Sequence, residues 1–226
     1  MTLKPIIYLA MLLLLLAAPL AQAGCGDKRE PGMDWSGCKK TSKMLDDQNF
    51  SSSRFDGANF DSSMMDKSNF SGSSLVKTDL SRASLKRSTF ANADLSKSVG
   101  YRADFSGAVL RDSNLSKSEF SRANFEHAEL TRLDWTKAEL GRVNFSAAHL
   151  IDVNFQFSNL SRAHFGAAAL TGVDFASAYT YQTRFDNVDL SHSKGLTQAQ
   201  LDMACGDDKT RLPAELKTPA SWPCVE

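Results

Sequence analysis

Residues 101–125 read YRADFSGAVLRDSNLSKSEFSRANF, and a large apolar residue stands at every fifth position of this stretch. The period continues on both sides, because residues 41–190 divide into 30 groups of five and 28 of these groups end in Leu, Phe, Met or Trp. A repeat this regular decides the fold. Its members in the quoted stretch are Phe105, Leu110, Leu115, Phe120 and Phe125.

A period of five fits neither a helix nor a flat strand. On an α-helix, five residues advance the chain by about 500°, so the apolar positions would spiral around every face. On a strand, an odd spacing sends successive large residues to opposite faces. The chain must therefore turn once in every group of five, so that all large residues meet a common axis. A small residue, mostly Ala, Ser, Thr or Val, stands two places earlier, and this strand-like separation points it inward as well.

A second period, of twenty residues, sets the number of sides. Four groups of five make one turn of a square coil, and residues twenty apart then stack at about 4.8 Å. The 30 groups predict about 7.5 coils. The two groups that lack a large apolar residue end in Gly100 and Thr180, on the same inner column. Basic residues also recur every twenty positions, in an arginine column (Arg82, Arg102, Arg122, Arg142 and Arg162) and a lysine column (Lys77, Lys97, Lys117 and Lys137).

The segments DGANF (56–60), FANADL (90–95), YRADF (101–105) and SRANF (121–125) resemble the A(D/N)Lxx repeat of the pentapeptide-repeat proteins. The resemblance implies an all-β solenoid, the right-handed quadrilateral β-helix, and the handedness comes from the family alone. The family has many roles, and some members mimic duplex DNA to engage a topoisomerase. That alternative role requires a cytosolic location and an acidic face. The chain has 26 Lys plus Arg and 26 Asp plus Glu, a balance that opposes both DNA mimicry and general nucleic-acid binding.

Residues 1–23 are predicted to be a signal peptide. Lys4 precedes an apolar run of about 16 residues, which is short for a membrane span, and the segment 21–23 has the small-x-small form of a cleavage site. The sequence AQAGC also resembles a lipoprotein box with Cys25 as the lipidated residue, but Gln22 stands where an aliphatic residue is usual. We favour cleavage after Ala23 and a periplasmic or secreted mature chain with no membrane span.

The four cysteines lie outside the repeats, two on each side. An oxidising compartment favours two disulfides. Of the three pairings, Cys25–Cys38 with Cys205–Cys224 is preferred because each bond then closes one end, and a loop of that length is worth about 3 kcal/mol. A zinc site is the alternative, but no Cys-x-x-Cys pair is present.

These signals divide the chain into four parts. A signal peptide (1–23) is followed by an N-terminal cap (24–40), the repeat β-helix (41–194), and a C-terminal helix with a disulfide-pinned tail (195–226). In the last part, Thr197 and Gln200 predict a capping box at the helix start, and Gly206 predicts the helix stop.

No catalytic constellation is evident, so we expect a protein that is not an enzyme and has no cofactor or metal. His127, His149, His164 and His192 form no metal-ligand pattern. Carboxylates recur at the polar position just before the large residue, which makes them part of the repeat.

The two basic columns are the candidate binding site. Arginine's planar fork suits carboxylate, sulfate or phosphate, so the columns predict a face for a protein or polyanionic partner at the cell envelope, not for specific nucleic acid. The alternative is that duplication copied surface residues with no function. Asp79, Glu119 and Glu139 follow lysines by two residues and would offset part of the charge.

Three irregular places are expected to perturb the coil. Gly100 should leave a void or let the backbone bulge inward. Tyr179 and Tyr181 should shift the local register. Leu133 with Trp135 places two large groups where one small and one large are usual, so a distorted side is expected there.

Overall fold

The computed structural model describes residues 24–26 and 28–224, which wind into a parallel coil with four sides per turn. Residues twenty apart pair in parallel bridges from Asp34–Arg54 to Asp174–Lys194. On one wall these pairs extend into three-residue strands, β1 (Val109–Arg111), β2 (Glu129–Thr131), β3 (His149–Ile151) and β4 (Ala169–Thr171), in the sheet order β1-β2-β3-β4. Each strand pairs with the next in a register offset of twenty residues. The predicted signal peptide lies outside the described residues.

The large residues of the repeat fill the axis of the coil in stacked columns. Phe105 and Phe125 stack with ring centroids 4.8 Å apart and planes within 10°, and Phe125 and Phe145 stack at 5.6 Å. The same column continues through Phe165 to Phe185, with centroid distances of 4.9 and 5.3 Å. Rings of neighbouring columns meet edge to face, an arrangement that the aromatic quadrupole favours. The inner stack follows directly from the period of twenty.

The small position of the repeat lets the walls close around these rings. Alanines such as Ala103 and Ala128 are fully buried there. Where the residue is serine or threonine, its hydroxyl donates to a backbone carbonyl, as Thr78 does to Phe55 (2.7 Å) and Ser88 to Met65 (2.8 Å). These bonds satisfy hydroxyl groups whose burial would otherwise destabilise the core.

Gly100 neither leaves a void nor bends the backbone inward, so that expectation is wrong. A Cβ atom built on Gly100 would lie 2.1 Å from Cε1 of Phe120, which means that the ring from the next coil already occupies this space. The backbone keeps its regular ladder, since the Gly100 amide donates to Glu119 at 2.8 Å. The Phe120 ring therefore fills the space that a side chain at position 100 would occupy.

The other two irregular places also keep the register. Tyr179 pairs with Asn159 at the regular offset. Asp134, between Leu133 and Trp135, bridges the coils on both sides, so the predicted distortion is absent. Both large groups are buried, and the Trp135 Nε1–H has no hydrogen-bond partner among the described residues.

The N-terminal end is closed by a disulfide and a buried lysine. The turn pattern already starts at residues 31–32, so part of the segment expected to be a cap forms two sides of the coil. Cys25 is bonded to Cys38, the pairing that the sequence favoured. Lys40 stands at an inner position, and its Nζ donates to the carbonyls of Cys25 (2.9 Å) and Gly26 (3.0 Å) and lies 3.9 Å from the centre of the Trp35 ring.

The C-terminal end is closed by helix α1 (Gln198–Met203), which begins with the predicted capping box of Thr197 and Gln200. The Gln200 amide, which is buried, donates to the coil carbonyls of Phe175 (2.8 Å) and Ala178 (2.9 Å). The main-chain carbonyl of Gln200 accepts a hydrogen bond from the hydroxyl of Thr180 at 2.7 Å. The helix therefore satisfies polar groups that the last full coil would leave open.

The tail after α1 adds part of another coil. Cys205 pairs with Arg184 and Arg211 with Asp189, at offsets longer than twenty, and a disulfide joins Cys205 to Cys224. Gly206 is not the helix stop, because the C-cap is Ala204. A Cβ on Gly206 would lie 2.3 Å from Trp222, so glycine is required there for close packing of the tail.

Candidate binding surface

Both basic columns lie on corners of the coil, at the turn position that requires a positive φ. Many of the turns are closed by a hydrogen bond in which the backbone amide of the small residue donates to the carbonyl of the large residue three places earlier. Ala83 donates to Leu80 in this way at 3.0 Å. The residue before the small one is left-handed, with φ of 59° at Arg102 and 63° at Arg122, as the third residue of a type II turn must be. A left-handed residue in every turn points its side chain out from the corner.

Hydrogen bonds between coils keep the corners in line. The amide of Arg102 donates to Ser121 at 3.2 Å, and that of Arg122 donates to Gly141 at 2.8 Å. In the lysine column, the amide of Lys97 donates to Ser116 at 3.0 Å. All nine predicted residues are exposed, and the structure brings them together as two parallel rows on adjacent corners.

Most of the nine cations have no carboxylate partner in the part of the chain that the structure describes. Arg82 pairs with Asp61, Arg162 donates to the Gln182 amide oxygen at 2.8 Å, and the Arg102 guanidinium lies 5.2 Å from the Tyr101 ring centre. The remaining members have no ion pair within 4.0 Å to any described residue; these are Arg122, Arg142, Lys77, Lys97, Lys117 and Lys137.

Some arginines elsewhere on the coil are paired with acids. Arg132 binds Asp112 through two hydrogen bonds of 2.6 and 2.7 Å, and Arg111 contacts Glu129 at 2.9 Å. The Arg132 guanidinium lowers the pKa of the Asp112 carboxyl. Arg82 is the ion-paired member of the columns among the described residues, and these arginines show that acids elsewhere on the coil can reach a guanidinium.

The wall between the two columns carries acids, as the sequence indicated. Asp79, Glu119 and Glu139 lie at its centre, one above another in register. Asp79 accepts from the amide of Ser81 at 2.9 Å, and Glu139 accepts from the Asn159 amide at 2.8 Å. These acids reduce the positive field over the wall without forming ion pairs with either column.

The Asp and Asn residues at the repeat position just before the large residue have a structural role. The side-chain oxygen accepts from the backbone amide two residues later, as in Asp94–Ser96 (2.9 Å) and Asn124–Glu126 (3.1 Å), which fixes the start of the turn. The Ser191 hydroxyl, and after it the Ser191 backbone amide, donate to the Asp189 carboxyl and lower its pKa. The recurrence of these Asp and Asn residues is thus explained by folding, and it does not indicate catalysis.

The described surface offers only shallow depressions. One of about 400 Å³ lies at the C-terminal end, where its lining includes Arg162, His164 and Asp202. No group of three or more metal-ligating side chains is found among residues 24–26 and 28–224, and no helix in these ranges is both long and apolar enough to cross a bilayer.

Sequence reasoning missed a set of exposed aromatic residues at the C-terminal end of the wall between the columns. Phe157, Tyr179 and Tyr181 are 58%, 48% and 41% exposed. The sequence pattern draws attention to Tyr179 and Tyr181 only as a cause of a register shift. The available signal was that all three occupy outward positions of the repeat, where polar residues are the rule.

Comparisons with known proteins agree with this architecture. Two trypsin-treated variants of QnrB1, a plasmid-mediated fluoroquinolone resistance protein, align with TM-scores of 0.56 and 0.52 at 20% and 18% identity, covering 77% and 80% of this chain and 91% and 92% of theirs. HetL, a pentapeptide-repeat protein from the cyanobacterium Nostoc sp. strain PCC 7120, aligns with a TM-score of 0.39 at 22% identity, covering 86% of this chain and 93% of its own. The QnrB1 alignments confirm the predicted right-handed quadrilateral β-helix.

No curated protein matches the sequence. A model described as a pentapeptide repeat region matches residues 83–165, and one described as pentapeptide repeats (8 copies) matches residues 45–82 and 65–99. Together these matches span more than half of the 226 residues. The stacked inner columns, the left-handed corners and these matches agree, and the chain belongs to the pentapeptide-repeat family.

Proposed function

We propose that this protein is a non-enzymatic, exported binding module that presents its arginine column, supported by the lysine column, to an anionic partner at the cell envelope. The observation that carries this proposal is that two rows of exposed cations lie on adjacent corners, and most of these cations have no carboxylate partner among the described residues. Arg122 and Arg142 have no carboxylate partner among residues 24–26 and 28–224, whereas Arg111 and Arg132 are each paired with an acid.

The stacking of like charges is unfavourable, which supports a role for it. Two unit charges about 5 Å apart repel by roughly 1 kcal/mol in water before salt screening. A polyanion laid along the corner would relieve this repulsion. Its acidic groups would also meet guanidinium forks at the regular spacing of the coils, a geometry suited to bidentate hydrogen bonds.

Two features support export. Both disulfides close an end of the coil, and bonds of this kind persist in oxidising compartments. The predicted signal peptide would direct the chain there. Fractionation of the native host is the direct test, since recovery of the processed chain from the periplasm or medium is expected and recovery of the full-length chain from the cytosol would contradict export.

The binding face is tested by a triple substitution, Arg102→Gln with Arg122→Gln and Arg142→Gln. We expect this variant to elute from a cation-exchange resin and from immobilised polyglutamate at clearly lower salt than the wild type, because counterion release scales with the number of contacts made.

The matched control replaces three ion-paired arginines, Arg54, Arg111 and Arg132, with glutamine. It changes the net charge by the same amount and should elute close to the wild type. Equal losses in the two variants would show that only net charge matters and would reject the arginine face. Circular dichroism establishes that both variants keep the fold.

A further inference from the structure

The wall between the two columns ends in the three exposed aromatic side chains described above, here called the aromatic end (Phe157, Tyr179 and Tyr181). Phe157 occupies the corner that follows Lys137 in the lysine column. Tyr179 stands at the wall centre, and Tyr181 lies beside the last arginine, because the amide of Arg162 donates to its carbonyl at 2.8 Å. The aromatic end is therefore continuous with both basic columns.

Folding does not explain these side chains. They add nothing to the inner columns, which are complete without them. Phe157 also has a φ of 57°, a conformation that is unfavourable for a bulky residue. The rings of Tyr179 and Tyr181 lie within 12° of parallel, with centroids 6.2 Å apart, and so present similarly oriented planar groups to solvent.

The backbone amide and carbonyl of Tyr179 are not available to a partner. The Tyr179 amide donates to Ser158 at 2.8 Å, and the Tyr179 carbonyl accepts from Leu160 at 2.9 Å. An extended peptide that adds to a sheet needs a free edge, and both of these groups are already paired with the preceding coil. Recognition on this wall is left to side chains.

The side chains present combine four kinds of group. Planar rings lie at one end, the carboxylates of Glu119 and Glu139 and the amide of Asn159 run along the centre, and cations line both sides. A sugar ring has an apolar C–H face that packs on an aromatic ring and hydroxyl groups that donate to carboxylate and amide oxygens. The central carboxylates accept hydrogen bonds, which the hydroxyl groups of a sugar chain can donate and the phosphate groups of a nucleic-acid backbone cannot.

We propose that this wall binds a linear acidic polysaccharide, with sugar rings packed on Tyr179 and Tyr181 and acid groups paired with the arginine column. The proposal rests on the anion-binding function proposed above and names the chemical class of its partner. The wall surface next to the arginine column carries only small residues, because Ser121, Gly141 and Ser161 stack there. These small side chains leave room for a polysaccharide chain to lie along the wall.

The test replaces both tyrosines, Tyr179→Ala with Tyr181→Ala, and measures binding by affinity electrophoresis at fixed salt. Polygalacturonate is the acidic polysaccharide, polyglutamate supplies carboxylates without sugar rings, and neutral dextran supplies sugars without charge. We expect binding to polygalacturonate to weaken about tenfold, binding to polyglutamate to stay at the wild-type value, and binding to dextran to be weak throughout. Ile151→Ala is the matched control, because Ile151 is 43% exposed on another wall, in β3.

A second variant, Tyr179→Leu with Tyr181→Leu, keeps apolar area but removes the planar rings, and it should lose polygalacturonate binding to a similar degree. Wild-type affinity of either tyrosine variant for polygalacturonate would overturn the polysaccharide proposal. Equal losses for polyglutamate, or tyrosine-dependent binding to phosphatidylglycerol vesicles without polysaccharide binding, would overturn it as well.

The arginine triple variant separates the two proposals. If it loses binding to both polyanions while the tyrosine variants bind normally, only the polysaccharide assignment fails. If it binds both like the wild type, the anion-binding function itself fails.

Discussion

The contact between Gly100 and Phe120 gives a sharp test of how the coil tolerates an interrupted repeat. In Gly100→Ala, the new Cβ would lie 2.1 Å from Cε1 and 2.2 Å from Cδ1 of the Phe120 ring. Carbon atoms in contact prefer about 3.5–4.0 Å, so the ring would have to retreat by about 1.5 Å. Its retreat is blocked by Phe105 and Phe125, whose centroids lie 5.6 and 6.1 Å away. We expect a loss of about 1–3 kcal/mol in the free energy of unfolding, as for other overpacked cores.

The assay is equilibrium unfolding in urea with both disulfides intact. Gly141→Ala is the matched control, since neither glycine has a positive φ and a Cβ on Gly141 would meet its nearest neighbour, Oγ of Ser161, at an ordinary 3.5 Å. That change should alter the free energy of unfolding by about 0.5 kcal/mol or less.

A shorter side chain in the next coil should relieve the clash. Adding Phe120→Leu to Gly100→Ala is expected to cost less than the sum of the two single changes, with a coupling of about 1–3 kcal/mol. Equal stability of the two alanine variants, or strict additivity in the double variant, would refute the idea that the Phe120 ring fills the space at Gly100.

Three further predictions concern the ends of the coil and its acids. Gln200→Ala should lower the free energy of unfolding by about 2–4 kcal/mol, since two buried carbonyls lose their donor; an unchanged urea midpoint would contradict the capping role. Replacing Cys205 and Cys224 together by alanine should cost about 3 kcal/mol and make the tail the first site of proteolysis, whereas uniform digestion would count against a local role. Hydrogen bonds from Ser191 and from the Asn187 backbone amide lower the pKa values of Asp189 and Asp207 respectively. The stabilisation of the fold by these two carboxylates is therefore complete above the unfolded pKa near 3.8 and is lost as the pH falls through the lower folded values. A melting temperature that stays constant from pH 5 to pH 2 would contradict this prediction.

Local sequence predicted the parts of the candidate site that depend on position in the repeat. Arg102 and Arg122 line up because they occupy the same corner of successive coils, and this alignment is predicted by the repeat alone. Whether a guanidinium is paired depends on the side chains of neighbouring coils and on the rotamers that reach them. Arg132 binds Asp112 in the preceding coil, whereas Arg122 forms no ion pair with any described residue.

The aromatic end is also a feature that local sequence does not predict. In sequence, Phe157 is separated from Tyr179 and Tyr181 by more than one full turn, so no window of a few residues brings them together. In the coil they lie at the same end of one wall, because residues twenty apart stack and residues two apart on a side point the same way.

The sequence by itself determined the square coil, its stacked inner columns and the rows of basic corners, because the period of five and the period of twenty are properties of the chain that any regular packing must respect. Only the tertiary structure decided how interruptions are absorbed: Phe120 fills the space at Gly100, Gln200 closes the last coil, and Gly206 lets Trp222 pack closely. These outcomes depend on which side chain of an adjacent coil or tail can reach an open space or an unpaired polar group, and that is settled by rotamers and contacts between coils that no local pattern encodes.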